Sequence, residues 1–218
     1  GNDYVLNGVK SMVVLGASAQ FVLVVADAGA EGAQAFIVPQ GTAGVSWTKE
    51  EYMGLKPIEV SRMTLADVKL PASAKLGEGE KAFNLQRLVD LSRLGTCALA
   101  VGTCQAMLDY VIPYVNDRIA FGEPISHRQA VAFMVANIAI EVDAMRMLVW
   151  RAAARAEQGL DFHKETYLAR VLCAEKSMEI GTNGVQLLGG HGFTREHPVE
   201  QWYRNLRAVG ILEGAAAV

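Results

Sequence analysis

Apolar residues change their spacing once along this chain, near Pro71, and that change limits what the chain can fold into. Before it, short runs rich in β-branched and aromatic residues, at positions 4–6, 10–14, 21–25, 35–38 and 62–70, alternate with turn-forming residues. Asn7-Gly8 between the first two runs predicts a two-residue hairpin, because both central positions of such a turn need positive φ. Gly41 to Gly44 and Met53-Gly54 supply further turns. From about Lys81 onward the spacing is helical. Helices are expected over 82–116, with a kink at Pro113, over 129–158, stopped by Gly159, and over 164–188, ending at a glycine pair. The expected fold class is α+β, with a small antiparallel β domain over residues 1–76 and a four-helix-bundle-like α domain over 77–218.

The second helix is apolar nearly all round. Val131, Met134, Val135, Ile138, Val142, Met145, Leu148 and Val149 form one stripe, while Phe133, Ile140, Met147 and Trp150 cover much of the other side. Such a helix either runs through the centre of a bundle or meets another subunit. With 218 residues, 51% of them hydrophobic, the chain can bury a sizeable core. A net charge of -3 gives no electrostatic footprint for nucleic acid or an anionic membrane, so neither is an expected partner. No uninterrupted apolar run reaches the ~20 residues of a membrane span, and none is expected. Cys97, Cys104 and Cys173 are an odd count lying in apolar helical stretches, which suits buried thiols in a reducing compartment. No metal ligands are expected.

Four short motifs follow one another in the second half. Arg118-Ile119-Ala120-Phe121-Gly122-Glu123-Pro124-Ile125 precedes Gln129 and Phe133; later come Gln186-Leu187-Leu188-Gly189-Gly190-His191-Gly192-Phe193 and Glu196-His197-Pro198-Val199. In this order and spacing they resemble the carboxyl-terminal half of the acyl-CoA dehydrogenase flavoprotein family. The resemblance covers essentially the whole chain, and Asn2 to Lys10 is similar to the start of the family's middle domain, which covers one face of the flavin. The family's amino-terminal helical domain is not represented in these residues.

The resemblance implies FAD as cofactor, an acyl-CoA substrate of fatty acid metabolism and electron-transfer flavoprotein as acceptor. It also implies a homotetramer or heterotetramer in the bacterial cytoplasm, or the mitochondrial matrix of a eukaryote. Glu213, in Ile211-Leu212-Glu213-Gly214, matches the family's catalytic glutamate; an otherwise apolar stretch would bury it and favour a usable base. Gly214 permits a close approach of backbone and substrate. Arg118 would meet the flavin pyrophosphate as a guanidinium suited to paired phosphate oxygens, although a helix-capping role or an ion pair with Asp117 or Glu123 competes. Phe121 would pack beside the cofactor, Gln129 and Gln186 would bind its adenosine half, and Gly189-Gly190 would let backbone approach its pyrophosphate. A plain helix stop explains those glycines equally well. Asp90 and Arg93 match the family's D-x-x-R along the acyl-CoA channel, against the competing reading of a surface ion pair three residues apart. His191 is expected to be structural or solvent-facing.

The implied activity is α,β-dehydrogenation of an acyl-CoA thioester to the trans-2-enoyl-CoA, with Glu213 taking the α-proton and flavin N5 the hydride. The alternatives are a non-catalytic partner subunit of a heteromeric dehydrogenase and, more remotely, an acyl-CoA oxidase. Three departures bear on the choice. Met12-Val13-Val14-Leu15-Gly16 stands where the family has W-I-T-N-G, which removes a hydroxyl from the flavin ring; Asn205 stands where Asp is usual and Ala215 where Thr is usual. Lys10-Ser11 ahead of the first departure resembles divergent bacterial members that act on dicarboxylic, steroid or other unusual acyl-CoAs, so the acyl class stays open.

Overall fold

The structure, a computed structural model, describes residues 3–77 and 82–214. Its backbone divides into two compact units, residues 1–85 and 86–218. The first holds two antiparallel three-stranded sheets. One is ordered β1 (Tyr4–Val14), β5 (Val60–Leu70), β4 (Val45–Lys49); the other is β2 (Phe21–Asp27), β3 (Ala33–Pro39), β6 (Lys75–Leu76). Leu6, Met63, Leu65, Val68 and Leu70 from the first sheet share a buried cluster with Val24, Phe36 and Val38 from the second. Along β5, Met63 and Leu65 enter that cluster at a period of two, and after an irregularity at Ala66 and Asp67 the alternation resumes with Val68 and Leu70.

The hairpin expected at Asn7-Gly8 is not there. Both flanking runs belong to one strand, β1, which pairs with β5 along its length and changes register between Leu6 and Gly8. Asn7 explains why: its side-chain oxygen accepts from the Asp67 backbone N–H at 2.8 Å and its amide donates to the Asp67 carboxylate at 3.1 Å. The turn-prone pair stays inside the strand, and the bulge lies opposite it in β5, where the two steps from Leu6 to Gly8 face three from Leu65 to Val68 and Asp67 stands at φ 49°.

The second unit is helical: α1 (Leu85–Asp117), α2 (Gln129–Glu157), α3 (His163–Leu187) and the short α4 (Val199–Leu206). Its core joins Cys97, Cys104, Met107 and Val111 of α1 to Ile138, Val142 and Met145 of α2 and Ala169, Cys173 and Ile180 of α3. Burying a side chain such as Met107 fully contributes roughly 1.5–3 kcal/mol, so this shared interior sets the helices' places. By length and mean hydropathy, 1.2 over its most apolar window, α1 could also cross a membrane; here its apolar residues build the helical core. It runs through Pro113 as one helix. The outer side of α2 stays uncovered within this chain, with Phe133, Ile140, Met147 and Trp150 each about 60% exposed.

A two-residue hairpin does occur, elsewhere. Strands β7 (Ile119–Ala120) and β8 (Glu123–Pro124) follow α1 and are joined by Phe121 and Gly122 at φ 58° and 86°. This is the paired positive φ expected at Asn7-Gly8, met by one glycine and one phenylalanine.

Candidate functional site

Two clusters of the expected residues lie in the helical unit, at opposite ends of α1. The first gathers around Glu213, which follows α4 in a turn at φ 54°. Its carboxylate accepts a hydrogen bond from the Ser92 hydroxyl at 3.0 Å and is also bonded by the Thr96 hydroxyl at 3.1 and 3.2 Å. Ser92 and Thr96 are four residues apart on α1 and so share a face. Between them in sequence, Arg93 donates from Nη2 to the Glu213 carbonyl oxygen at 3.0 Å. From α3, Arg170 donates to the carbonyl oxygens of Leu212 and Gly214 and places its Nη1 3.8 Å from Glu213 Oε2. Glu213 thus takes its partners from α1 and α3 rather than from its own apolar stretch. Burial draws the Arg170 guanidinium below its ordinary value, against the pull of nearby Cys97 and the Glu213 carboxylate.

Asp90 and Arg93 do not pair with each other. Asp90 is buried, accepting from His163 Nδ1 at 3.0 Å and from Gln86 Nε2 at 3.0 Å. It ties the starts of α1 and α3 together, while Arg93 turns to the Glu213 segment. Gly214, at φ 87°, presents its carbonyl to Arg170.

The second cluster lines an open cavity of about 730 Å³ where the end of α1, the β7–β8 hairpin, the start of α2 and the end of α3 converge. Arg118, Phe121, Gln186, Gly189 and Gly190 all line it, joined by Arg128 and His191. Gln129 does not; it sits exposed at the first position of α2 between two lining residues, Arg128 and Ala130. Neither competing role of Arg118 is seen. Glu123 pairs instead with Arg128 and His127, and the Arg118 guanidinium has no hydrogen-bond or ion-pair partner among the described residues. Positive φ at Phe121 throws its ring outward, 94% exposed, with the Arg128 guanidinium 5.6 Å from its centroid.

Gly189 and Gly190 have open space where a Cβ would stand, and Gly189 at φ 55° turns the chain out of α3, which suits the helix stop and an accessible backbone alike. The crowded glycine of the motif is Gly192, whose Cβ would meet the Val185 carbonyl oxygen at 2.2 Å. His191 is exposed on the cavity wall, yet fixed: its Nδ1 is 2.8 Å from the Tyr114 hydroxyl, and its ring stacks on His197 at 5.5 Å. Val14, where the family hydroxyl is absent, ends β1, and Ala215 lies outside the described residues.

Sequence reasoning passed over Ser92, Thr96 and Arg170. The signal for the first two was polar residues one turn apart in the apolar run of α1. For Arg170 it was a lone charge between Tyr167-Leu168-Ala169 and Val171-Leu172-Cys173.

An antiparallel β unit followed by a helical bundle, with a hydroxyl-held carboxylate at one end of its longest helix and an arginine-bearing cavity at the other, is an α+β architecture shared with known proteins. Sequence profiles for "Acyl-CoA dehydrogenase, C-terminal domain" and "Acyl-CoA dehydrogenase, middle domain" match residues 83–218 and 1–68. The chain belongs to the acyl-CoA dehydrogenase family. It is 35% identical to the caffeyl-CoA reductase-Etf complex subunit CarC of Acetobacterium woodii, over 100% of this chain and 59% of that protein. It is 32% identical to the short-chain specific acyl-CoA dehydrogenase of Megasphaera elsdenii, over 99% of this chain and 58% of the relative. The solved structure of butyryl-CoA dehydrogenase from Megasphaera elsdenii superimposes with a TM-score of 0.89 at 31% identity, covering 98% of this chain and 57% of that one. The chain therefore spans a little under three fifths of the length of these relatives.

Proposed function

We propose that the chain is part of an acyl-CoA dehydrogenase in which Glu213 takes the α-proton of an acyl-CoA thioester on the way to the trans-2-enoyl-CoA. FAD, if bound, would supply the acceptor for the hydride leaving Cβ, chemistry beyond any side chain. The observation that carries this reading is the Glu213 carboxylate, part-exposed and held by the Ser92 and Thr96 hydroxyls, as a positioned base requires. Arg93 and Arg170 fix the backbone on either side of it.

The open cavity suits the phosphate-bearing half of the cofactor. Arg118 offers an unengaged guanidinium, Gln186 a side-chain amide, and Gly189-Gly190 a backbone that nothing shields. The two clusters are separated by 25 residues of mostly helical chain, about 37 Å at 1.5 Å per residue. One dinucleotide does not reach across that span. A single chain therefore serves two flavins, and the working unit holds at least two chains, as a homotetramer or heterotetramer would. Electron-transfer flavoprotein is the proposed electron partner, supported by the relative named as a subunit of a reductase-Etf complex. The same proton transfer run backwards serves a reductase.

Val14 and Asn205 favour a second reading, a partner subunit that keeps the fold with fewer cofactor contacts. The two are separated by stopped-flow reduction of the flavin-loaded, full-length protein with saturating acyl-CoA. Glu213→Gln should slow flavin reduction by about 10²-fold or more. An unchanged rate would remove Glu213 from the chemistry and leave the partner-subunit reading.

A further inference from the structure

Four buried side-chain polar atoms among the described residues lack a hydrogen-bond partner, and three belong to two guanidiniums: Arg93 Nε and Arg170 Nε and Nη1. Leaving a charged donor unsatisfied inside a protein costs about 1–3 kcal/mol or more. Arg170 is only 2% exposed, so water does not make good the loss. A carboxylate oxygen, Glu213 Oε2, lies 3.8 Å from Nη1, just beyond hydrogen-bond range.

We propose that Arg170 is a positioning residue that offers Glu213 a second seat, and that the charge on Glu213 selects between the two. A guanidinium has donors only, so it holds the carboxylate anion far more strongly than the neutral acid, whose O–H it cannot accept and whose carbonyl oxygen carries no charge. The Ser92 and Thr96 hydroxyls both donate and accept, so they hold either form. Taking the α-proton from substrate makes Glu213 neutral, cancels its attraction to Arg170 and leaves it on the hydroxyls; losing that proton restores the pull of Arg170. Among the described residues, the charged and titratable groups facing Glu213 are Arg93 and Cys97 from α1 and Arg170 from α3. Of these, only Arg170 has an unpartnered guanidinium nitrogen within 4 Å of the carboxylate.

The proposal rests on Glu213 being the base, and its test separates the two claims. Crystals of the full-length, flavin-loaded protein without substrate, grown near pH 8, should show the Glu213 carboxylate within about 3.2 Å of Arg170 Nη1 in at least one conformer. In E213Q, whose neutral amide mimics the acid, the side chain should remain on Ser92 and Thr96 alone. The carboxylate on the hydroxyls only, or the same placement in both proteins, would overturn the proposal whatever the activity. In stopped flow near pH 8, R170Q should lose about tenfold in flavin reduction, because the cation that positions the carboxylate is gone. R170K, which keeps the charge, should track the unmodified protein. Equal losses in R170Q and R170K would reduce Arg170 to a packing role. Absence of flavin reduction in the unmodified protein would count against the proposed activity and leave the crystallographic comparison to decide this one.

Discussion

The two ends of α1 use the same residue type in opposite ways. At its start, Arg93 and Arg170 are drawn inward and donate to the backbone of residues 212–214. At its end, Arg118 faces an open cavity with no partner among the described residues, and Phe121 stands 94% exposed beside it. The inward arginines complete the fold themselves, so they can position a side chain of this chain and little else. The outward one contributes nothing visible to the fold, which fits a group reserved for a ligand. Protein-held and ligand-held cations are thus distinguishable from who accepts their hydrogen bonds.

That contrast breaks first, if it breaks, at the two glycines under the cavity. Gly192→Ala drives a Cβ against the Val185 carbonyl and should cost about 2–3 kcal/mol in urea denaturation. Gly190→Ala enters open space and should change stability by less than about 0.5 kcal/mol. Equal losses would mean that the cavity wall is as tightly packed as its floor. Arg118→Gln sharpens the comparison from the ligand side. Apoprotein titrated with FAD should bind about tenfold to a hundredfold more weakly, the contribution of a charge-assisted hydrogen bond, with the melting temperature of the apoprotein unmoved. A melting temperature that fell as far as affinity would place Arg118 among the structural arginines.

A smaller effect is expected at Phe121. A non-glycine residue at positive φ costs about 1–2 kcal/mol, so Phe121→Gly should raise the stability of the apoprotein by about 1 kcal/mol while weakening flavin binding. Stability and binding falling together would show that the ring packs the fold after all. Least change of all is expected from the thiols between the two ends. Cys97, Cys104 and Cys173 are fully buried, and burial pushes the Cys104 thiol up to about 12. A thiol reagent at pH 8 should label none of them in the native protein and all three once it is unfolded. Labelling of the native chain would show that the core opens.

The sequence made the helices and the family legible to within a few residues, because apolar spacing at three and four reports burial directly. It misplaced the hairpin. Asn7-Gly8 and Phe121-Gly122 each offer one glycine, and only a partner sixty residues away, Asp67 in the bulge of β5, keeps the first inside a strand. Glu213 was singled out by its register within a motif, whereas its holders Ser92, Thr96 and Arg170 were not, since hydrogen bonds spanning 42 to 121 residues leave no local pattern. The partner of Asp90 was hidden for the same reason. The three-residue step to Arg93 is visible in sequence, and His163 is not.

One helix carrying both clusters places a constraint on length as well as on composition. Each residue of α1 rotates the rest of the helix by about 100° and moves it by about 1.5 Å along the axis. Deleting one residue between Thr96 and Tyr114 would leave Ser92 and Thr96 under Glu213 but swing Arg118 and the hairpin a quarter turn or more around the axis, away from Gln186 and His191. Such a deletion would spare the Glu213 cluster and pull apart the walls of the cavity, whose residues come from both α1 and α3. Residues 97–113 can change identity wherever the core permits, but their number works as a gear ratio between the two clusters, and variation in length belongs in the turns after α1 and α2.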